Sequence, residues 1–348
     1  MINDAEKIKT ANNKKVSGRI LPAGTPCTDH ARAARRRHGM ENIFARLPDD
    51  LARSLRGLPE RIMDDLEEIR FRVNRPVIVY SGGREYEIAG CGSYAMSRDG
   101  IGMIFSLLME HSDYAYQDQI RSGYITLDGG HRVGICGRVI TDNGHVVSVR
   151  DISSINIRRG CEYPGISDRM IPYITDSNGM IKNTLIVSPP RCGKTTVLRD
   201  IVRNISCMGK RVGVCDERSE IAGSAGGVPG FDIGPRTDVM DGCPKDTGIS
   251  MLIRSMSPDV IAVDELGSSE DARAVERAAV AGVSLVATMH GRSYDDAVRS
   301  SIGRFIKNGL ISRIVILSAE PVPGTVKDIV NSANMSLIAE PEMKWTEG

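Results

Sequence analysis

Aromatic residues are scarce in this chain: Phe, Trp and Tyr make up 4% of it, with a single tryptophan. That scarcity speaks against a nucleic-acid platform built from stacked rings and predicts a mainly aliphatic core. Net charge is missing as well. The 45 Lys and Arg against 44 Asp and Glu leave +1, so no whole-chain field draws in polyanions. No apolar run approaches the ~20 residues needed to cross a bilayer, and the amino terminus has no apolar signal core. The expected location is cytoplasmic, with peripheral docking on a membrane partner still open. None of the eight cysteines (Cys27, Cys91, Cys136, Cys161, Cys192, Cys207, Cys215 and Cys243) forms a CxxC pair or stands at zinc-ligand spacing with histidine. They read as reduced thiols acting as small hydrophobes.

What is present is a chain of 348 residues, 41% hydrophobic and 26% charged. That is the composition of a globular protein with two domains. Residues 1–39 are polar and basic, with Lys7, Lys9, Lys14, Lys15, Arg19, Arg32 and the run Arg35-Arg36-Arg37. They predict a disordered basic tail. It is either an arm for acidic lipid or nucleic acid, or an incidental extension ahead of a true start at Met40. Residues 40–164 predict an α+β domain. Leu47, Leu51, Leu55 and Leu58 recur at helical spacing, while Ile69, Phe71 and Val73 alternate as in a strand. A helix is expected over 101–111, with strands over 124–127, 132–140 and 153–157. Residues 165–340 alternate apolar strands (185–187, 212–215, 260–263, 285–288, 314–317) with helices, among them 270–281 and 293–306. That alternation predicts a mostly parallel sheet covered on both faces. Residues 341–348 form a short tail.

The segment Ser188-Pro189-Pro190-Arg191-Cys192-Gly193-Lys194-Thr195-Thr196 lies between the first of these strands and a helix, the context of a phosphate-binding loop. Backbone N–H groups and the helix dipole would face the phosphates of ATP. Lys194 would reach the β- and γ-phosphates, and the Thr195 hydroxyl would ligate Mg²⁺. Two positions depart from the usual pattern. Ser188 stands in place of the first glycine, and Arg191 stands where many such loops carry another. Glycine accepts positive φ cheaply, whereas a side chain there costs about 1 kcal/mol or more.

Further polar groups fall at strand ends. The apolar run 260–263 ends in Asp264 and Glu265, about 70 residues beyond Lys194. Asp264 is the expected second Mg²⁺ group and Glu265 the group that polarises water. Asp216-Glu217-Arg218-Ser219-Glu220 ends another strand, and ligands of open parallel sheets bind outside the strands' carboxyl ends. Either Glu217 or Glu220 would orient water or Mg²⁺; the plainer alternative is a helix cap paired with Arg218. His290 ends a third strand and is placed to sense phosphate. The loop 223–230 either touches a partner or merely connects elements. Arg254 senses phosphate or makes a surface ion pair.

These residues together predict a RecA-like, Mg²⁺-dependent P-loop ATPase domain behind a smaller α+β domain. Three functions fit: an ATP-hydrolysing motor, a nucleotide-gated assembly module with little turnover, or a RecA-like nucleic-acid motor. Balanced charge and few aromatics speak against the last.

Residues 251–291 resemble the Walker B to His-box stretch of type II and type IV secretion ATPases, and residues 216–220 resemble their Asp box. The string Glu68-Ile69-Arg70-Phe71-Arg72-Val73-Asn74-Arg75-Pro76 is similar to the start of their amino-terminal domain. Residues 216–223, 236–245 and 129–134 resemble, more narrowly, the stage III sporulation protein AA family, whose loop normally carries glycine at the positions of Ser188 and Arg191. The resemblance spans about residues 40–335. It implies a homohexameric motor with sites completed by arginines of the amino-terminal domain, with Arg132, Arg158 and Arg159 as the candidates. It also implies membrane channel proteins as partners, at the mother-cell face of a sporulation channel.

Overall fold

The computed structural model describes residues 40–88, 97–110, 116–333 and 336–339. The tails expected over 1–39 and 341–348 lie outside them. The first half of the described chain runs α1 (Asp49–Arg56), α2 (Glu60–Asp64), β1 (Leu66–Arg72), β2 (Ile78–Ser81), β3 (Arg84–Glu87), α3 (Arg98–Leu108), α4 (Gln117–Arg121), β4 (Tyr124–Leu127), β5 (His131–Asp142) and β6 (His145–Arg158). Pro48 and Pro59 precede α1 and α2, where a fixed φ favours helix initiation. Leu51, Ala52 and Leu55 turn inward from α1.

The six strands form an antiparallel sheet in the order β3-β2-β1-β6-β5-β4. Strand pleating sends alternate residues to opposite faces. Ile69, Phe71, Val133, Ile135, Ile155 and Ile157 face a core shared with Ile101, Ile104 and Leu108 of α3. Register aligns Glu68, Arg158 and Arg132 on the other face. Strand β6 is longer than the expected 153–157, because its outer half pairs with β5 in a hairpin that extends past the core. That hairpin breaks at Gly137, where a Cβ would meet the Arg150 carbonyl oxygen at 2.4 Å.

The second half contains α5 (Ile171–Ile174), β7 (Thr184–Ser188), α6 (Lys194–Cys207), β8 (Val212–Asp216), β9 (Thr237–Asp241), α7 (Lys245–Met256), β10 (Val260–Val263), α8 (Asp271–Val280), β11 (Ser284–His290), α9 (Tyr294–Arg299), α10 (Gly303–Lys307), β12 (Arg313–Ser318), β13 (Thr325–Asn331) and β14 (Ser336–Ala339). Its eight-stranded sheet has the order β14-β13-β12-β7-β11-β10-β8-β9. The run from β12 to β9 is parallel, and β13 and β14 add an antiparallel edge. Helix α6 covers one face through Val197, Leu198, Ile201 and Ile205. Helices α7 and α8 cover the other through Ile249, Leu252, Ala274 and Val275. Central strands buried on both faces explain the unbroken apolar runs in the sequence.

The single helix expected over 293–306 is corrected to two. The chain leaves helical geometry at Ser300. At Gly303 it approaches itself so closely that a Cβ would lie 1.9 Å from the Val298 carbonyl oxygen. The two ends of loop 223–230, Gly223 and Gly230, pack against the β4–β5 turn at Gly129 and Gly130, while 226–229 stay exposed. A Cβ on Gly223 would meet the Phe231 ring at 2.5 Å and Gly130 Cα at 2.7 Å.

Candidate functional site

The parallel strands end together, and the polar residues that follow them meet there. β7 runs into the loop 188–193, which turns into α6 at Gly193 with φ 79°. Arg191, at φ 62°, also sits in the left-handed region. Glycine would suit that position, so the departure seen in the sequence coincides with local strain. Ser188 is fully buried at the end of β7, with no positive φ to accommodate. Pro189, Pro190 and Cys192 shape the loop between. The Cys192 carbonyl accepts a hydrogen bond from Gly324 N at 2.9 Å, so the β12–β13 turn buttresses the loop from outside.

Helix α6 has no side-chain cap and no acid in its first turn. The N–H groups of Lys194, Thr195 and Thr196 are thus left for an anion at the positive end of the dipole. Lys194 is 8% exposed. Its Nζ lies 3.4 Å from the Ser188 carbonyl, 3.3 Å from the Pro189 carbonyl and 3.1 Å from His290 Nδ1. Burial pushes its ammonium below the ordinary lysine range, and nearby Asp264 and Glu265 push back.

Thr195 Oγ1 donates to Asp264 Oδ2 at 2.7 Å. The Thr288 hydroxyl donates to Asp264 Oδ1 and accepts from Glu265 N at 2.9 Å. Thr288 thereby fixes both acids at the end of β10; the sequence flagged its neighbour His290 but assigned it no part. Glu265, at φ 51°, has both carboxylate oxygens engaged. His290 Nε2 lies 2.8 Å from Oε1, and Arg218 Nη1 lies 3.1 Å from Oε2. A continuous polar chain runs Lys194–His290–Glu265–Arg218.

The acidic box after β8 divides its labour. Asp216 is buried and accepts backbone N–H groups of Glu220, Ile221 and Ala222 at 2.8, 3.0 and 2.8 Å. Burial outweighs those three bonds and pushes its carboxyl up to about 6. Glu220 pairs with Arg132 of the six-stranded sheet at 2.8 Å. Glu217 points to Lys245 at 2.6 Å and makes no bond to Lys194, Asp264 or Glu265. Arg218 reaches across to Glu265 instead of closing a local pair.

Arg199 of α6 is a hub that the sequence did not reveal. Its guanidinium donates to the carbonyls of Ile221 at 2.6 Å, Glu220 at 2.6 Å and Cys161 at 2.8 Å, and stacks 3.8 Å over the Phe231 ring. Burial pulls it down to about 10. Among the arginines of the first sheet, Arg132 faces the site, and Arg158 pairs with Glu68 at 3.1 Å. Arg159 donates to the carbonyls of Met63 and Asp64 at 3.1 and 2.9 Å, which ends α2. Arg254 is exposed in the last turn of α7, ahead of the amino-terminal end of β10 and so at the end of the parallel strands opposite the loop.

Comparison with known proteins agrees with this geometry. The family model described as sporulation stage III, protein AA matches residues 37–337. A stage III sporulation protein AA from Bacillus subtilis (strain 168) is 42% identical over 297 residues, covering 83% of this chain and 94% of that protein. The uncharacterized protein ycf45 of Porphyra purpurea is 29% identical over 267 residues, covering 73% of this chain and 43% of its own length. Among solved structures, the pilus retraction motor PilT with bound ADP superposes with a TM-score of 0.52 at 16% identity. That likeness covers 74% of this chain and 75% of PilT and is one of fold alone, a RecA-like α/β fold. The chain belongs to the stage III sporulation protein AA family.

Proposed function

We propose that this chain is a Mg²⁺-dependent ATPase, the subunit of a homohexameric motor that energises a membrane channel complex during sporulation. Its two domains are assigned to residues 40–164 and 165–340, one per sheet. The observation that carries the reading is the convergence of Lys194, the Thr195–Asp264 pair, Glu265 and His290 at one end of the parallel sheet. In this reading the residues from Ser188 to Thr196 cradle the phosphates, and Lys194 holds the β- and γ-groups. Thr195 and Asp264 offer the two protein oxygens that Mg²⁺ ordinarily takes beside phosphate oxygens. Held by these two residues, Mg²⁺ would supply charge neutralisation for phosphoryl transfer. Glu265 orients the attacking water. His290 shares a proton-mediated contact with Lys194 on one nitrogen and with Glu265 on the other. Phosphate drawing Lys194 away would therefore be felt at Glu265. Glu220 supports from Arg132, and Glu217 acts at most indirectly, given its bond to Lys245.

Steady-state ATP hydrolysis by the full chain with Mg²⁺, beside Lys194→Ala and Glu265→Gln, tests the assignment. Both variants are expected to lose at least about 100-fold in kcat, the scale of removing one positioned catalytic group. Variants as active as the parent would sink it. One observation favours a second reading, a nucleotide-gated assembly module: Arg191 strains the loop at a position suited to glycine. Tight ATP binding with no turnover, even in the assembled ring, would select it.

A further inference from the structure

We propose that Arg218 restrains Glu265 and ties that carboxylate to the position of the six-stranded sheet. The proposal rests on the ATPase reading, because Glu265 is the group assigned there to water.

Arg218 is gripped from three directions. Its guanidinium holds Glu265 Oε2 at 3.1 Å. Its carbonyl oxygen accepts from Arg132 Nη2 at 3.1 Å and from the Tyr124 hydroxyl at 3.4 Å, both on the six-stranded sheet. Arg132 also stacks over the Tyr124 ring at 4.4 Å, so these two donors move as a unit. On the other side Ser219 adopts φ 52° and donates its hydroxyl to Asp241 Oδ1 at 2.6 Å, which anchors the backbone to β9. Within one residue, then, the backbone reports the place of one sheet and the side chain touches the water-orienting acid of the other.

The chemistry gives the direction of the effect. A carboxylate orients water by accepting its hydrogen bond. In this conformation Oε1 faces His290 and Oε2 faces Arg218, so the two oxygens already have cationic or N–H partners. Withdrawing Arg218 frees Oε2 for water. A shift of the first sheet drags the Arg218 carbonyl, because Arg132 and Tyr124 hold it, and this lengthens the contact with Glu265. The pair is half open to solvent, with Arg218 63% and Glu265 36% exposed, so the tie is weak enough to break in each cycle.

Kinetics of the full chain with Mg-ATP test this. Arg218→Ala is expected to raise kcat about two- to five-fold, the factor that an exposed ion pair supplies, with KM unchanged. Arg218→Lys, which keeps the cation, is expected to stay near the parent. Tyr124→Phe should raise kcat by less, and should add nothing once Arg218 is alanine. A fall in kcat for Arg218→Ala would overturn the proposal by making the guanidinium a contributor to the reaction itself. Additive effects of the Tyr124 and Arg218 changes would overturn the link to the first sheet. Hydrogen exchange without nucleotide supplies a readout that needs no turnover. The amides of 217–220 and 264–266 should exchange faster in Arg218→Ala, and unchanged exchange would again overturn the tie. A parent chain that binds ATP without hydrolysing it sinks the ATPase reading, and exchange then judges the tie alone.

Discussion

Two single residues carry more physics than their letters suggest. Arg191 holds a left-handed φ of 62° that costs an L side chain about 1–2 kcal/mol. Arg191→Gly relieves that strain, while glycine's greater freedom in the unfolded chain returns part of the gain. A net stabilisation of up to about 1 kcal/mol is expected in chemical denaturation; a destabilised variant would show that the guanidinium holds the loop. The identity of Arg191 as a departure was legible in the sequence, because the loop motif assigns it a position. Asp216 was legible only as an acid at a strand end, since the same letter serves a solvated cap and a buried staple. Its carboxyl is pushed up to about 6. Between the ordinary carboxylate range and 6 the folded chain binds more protons than the unfolded one. Its contribution is therefore complete below that window and is lost as pH rises through about 6. Asp216→Asn should remove this falling component from a stability–pH curve. It should also cost about 1–3 kcal/mol at neutral pH, because an amide NH₂ cannot accept the backbone N–H groups that a carboxylate does. An unchanged curve would refute the assignment.

The elements most readily seen in advance were the central strands. β7, β8 and β10 are buried along their whole length, so apart from Thr184, Ser188 and Asp216 at their ends they read as short apolar runs. β9 escaped notice because it is a half-exposed edge strand, Thr-Asp-Val-Met-Asp, whose partner lies across an intervening loop. β13 and β14 pair antiparallel at the opposite edge, where nothing in the βα alternation announces them. The loop 223–230 could be read only as a glycine-rich connection, since the close approach its Gly223 serves is to Gly130, more than ninety residues earlier in the β4–β5 turn, with the neighbouring Phe231 ring filling the gap. Gly223→Ala is expected to lose about 2–4 kcal/mol through overpacking and positive-φ strain together. Thermal denaturation checks this, and a variant as stable as its parent would mean that the loop is not packed as described.

At the scale of the molecule, the arginines implied to complete a neighbour's site differ in their freedom. Arg159 ends a helix of its own sheet and Arg132 binds its own Asp box, which leaves Arg158, 59% exposed, as the one best able to reach outward. In sedimentation, Mg-ATP should drive the full chain toward a single ring-sized species, and Arg158→Ala should weaken that shift with little change in melting temperature. A chain that stays monomeric at every concentration while binding ATP would remove the ring. No composition or spacing could have displayed this, because assembly depends on surfaces and not on periodicity. The six-stranded sheet is complete by Arg158. β7, which delivers the loop, pairs with β11 and β12, and its loop is braced by Gly324. Since domains fold as they emerge, a nascent chain owns a finished first sheet long before the elements around the loop 188–193 are in place. On the ATPase reading, unfinished chains on the ribosome are therefore expected not to bind nucleotide.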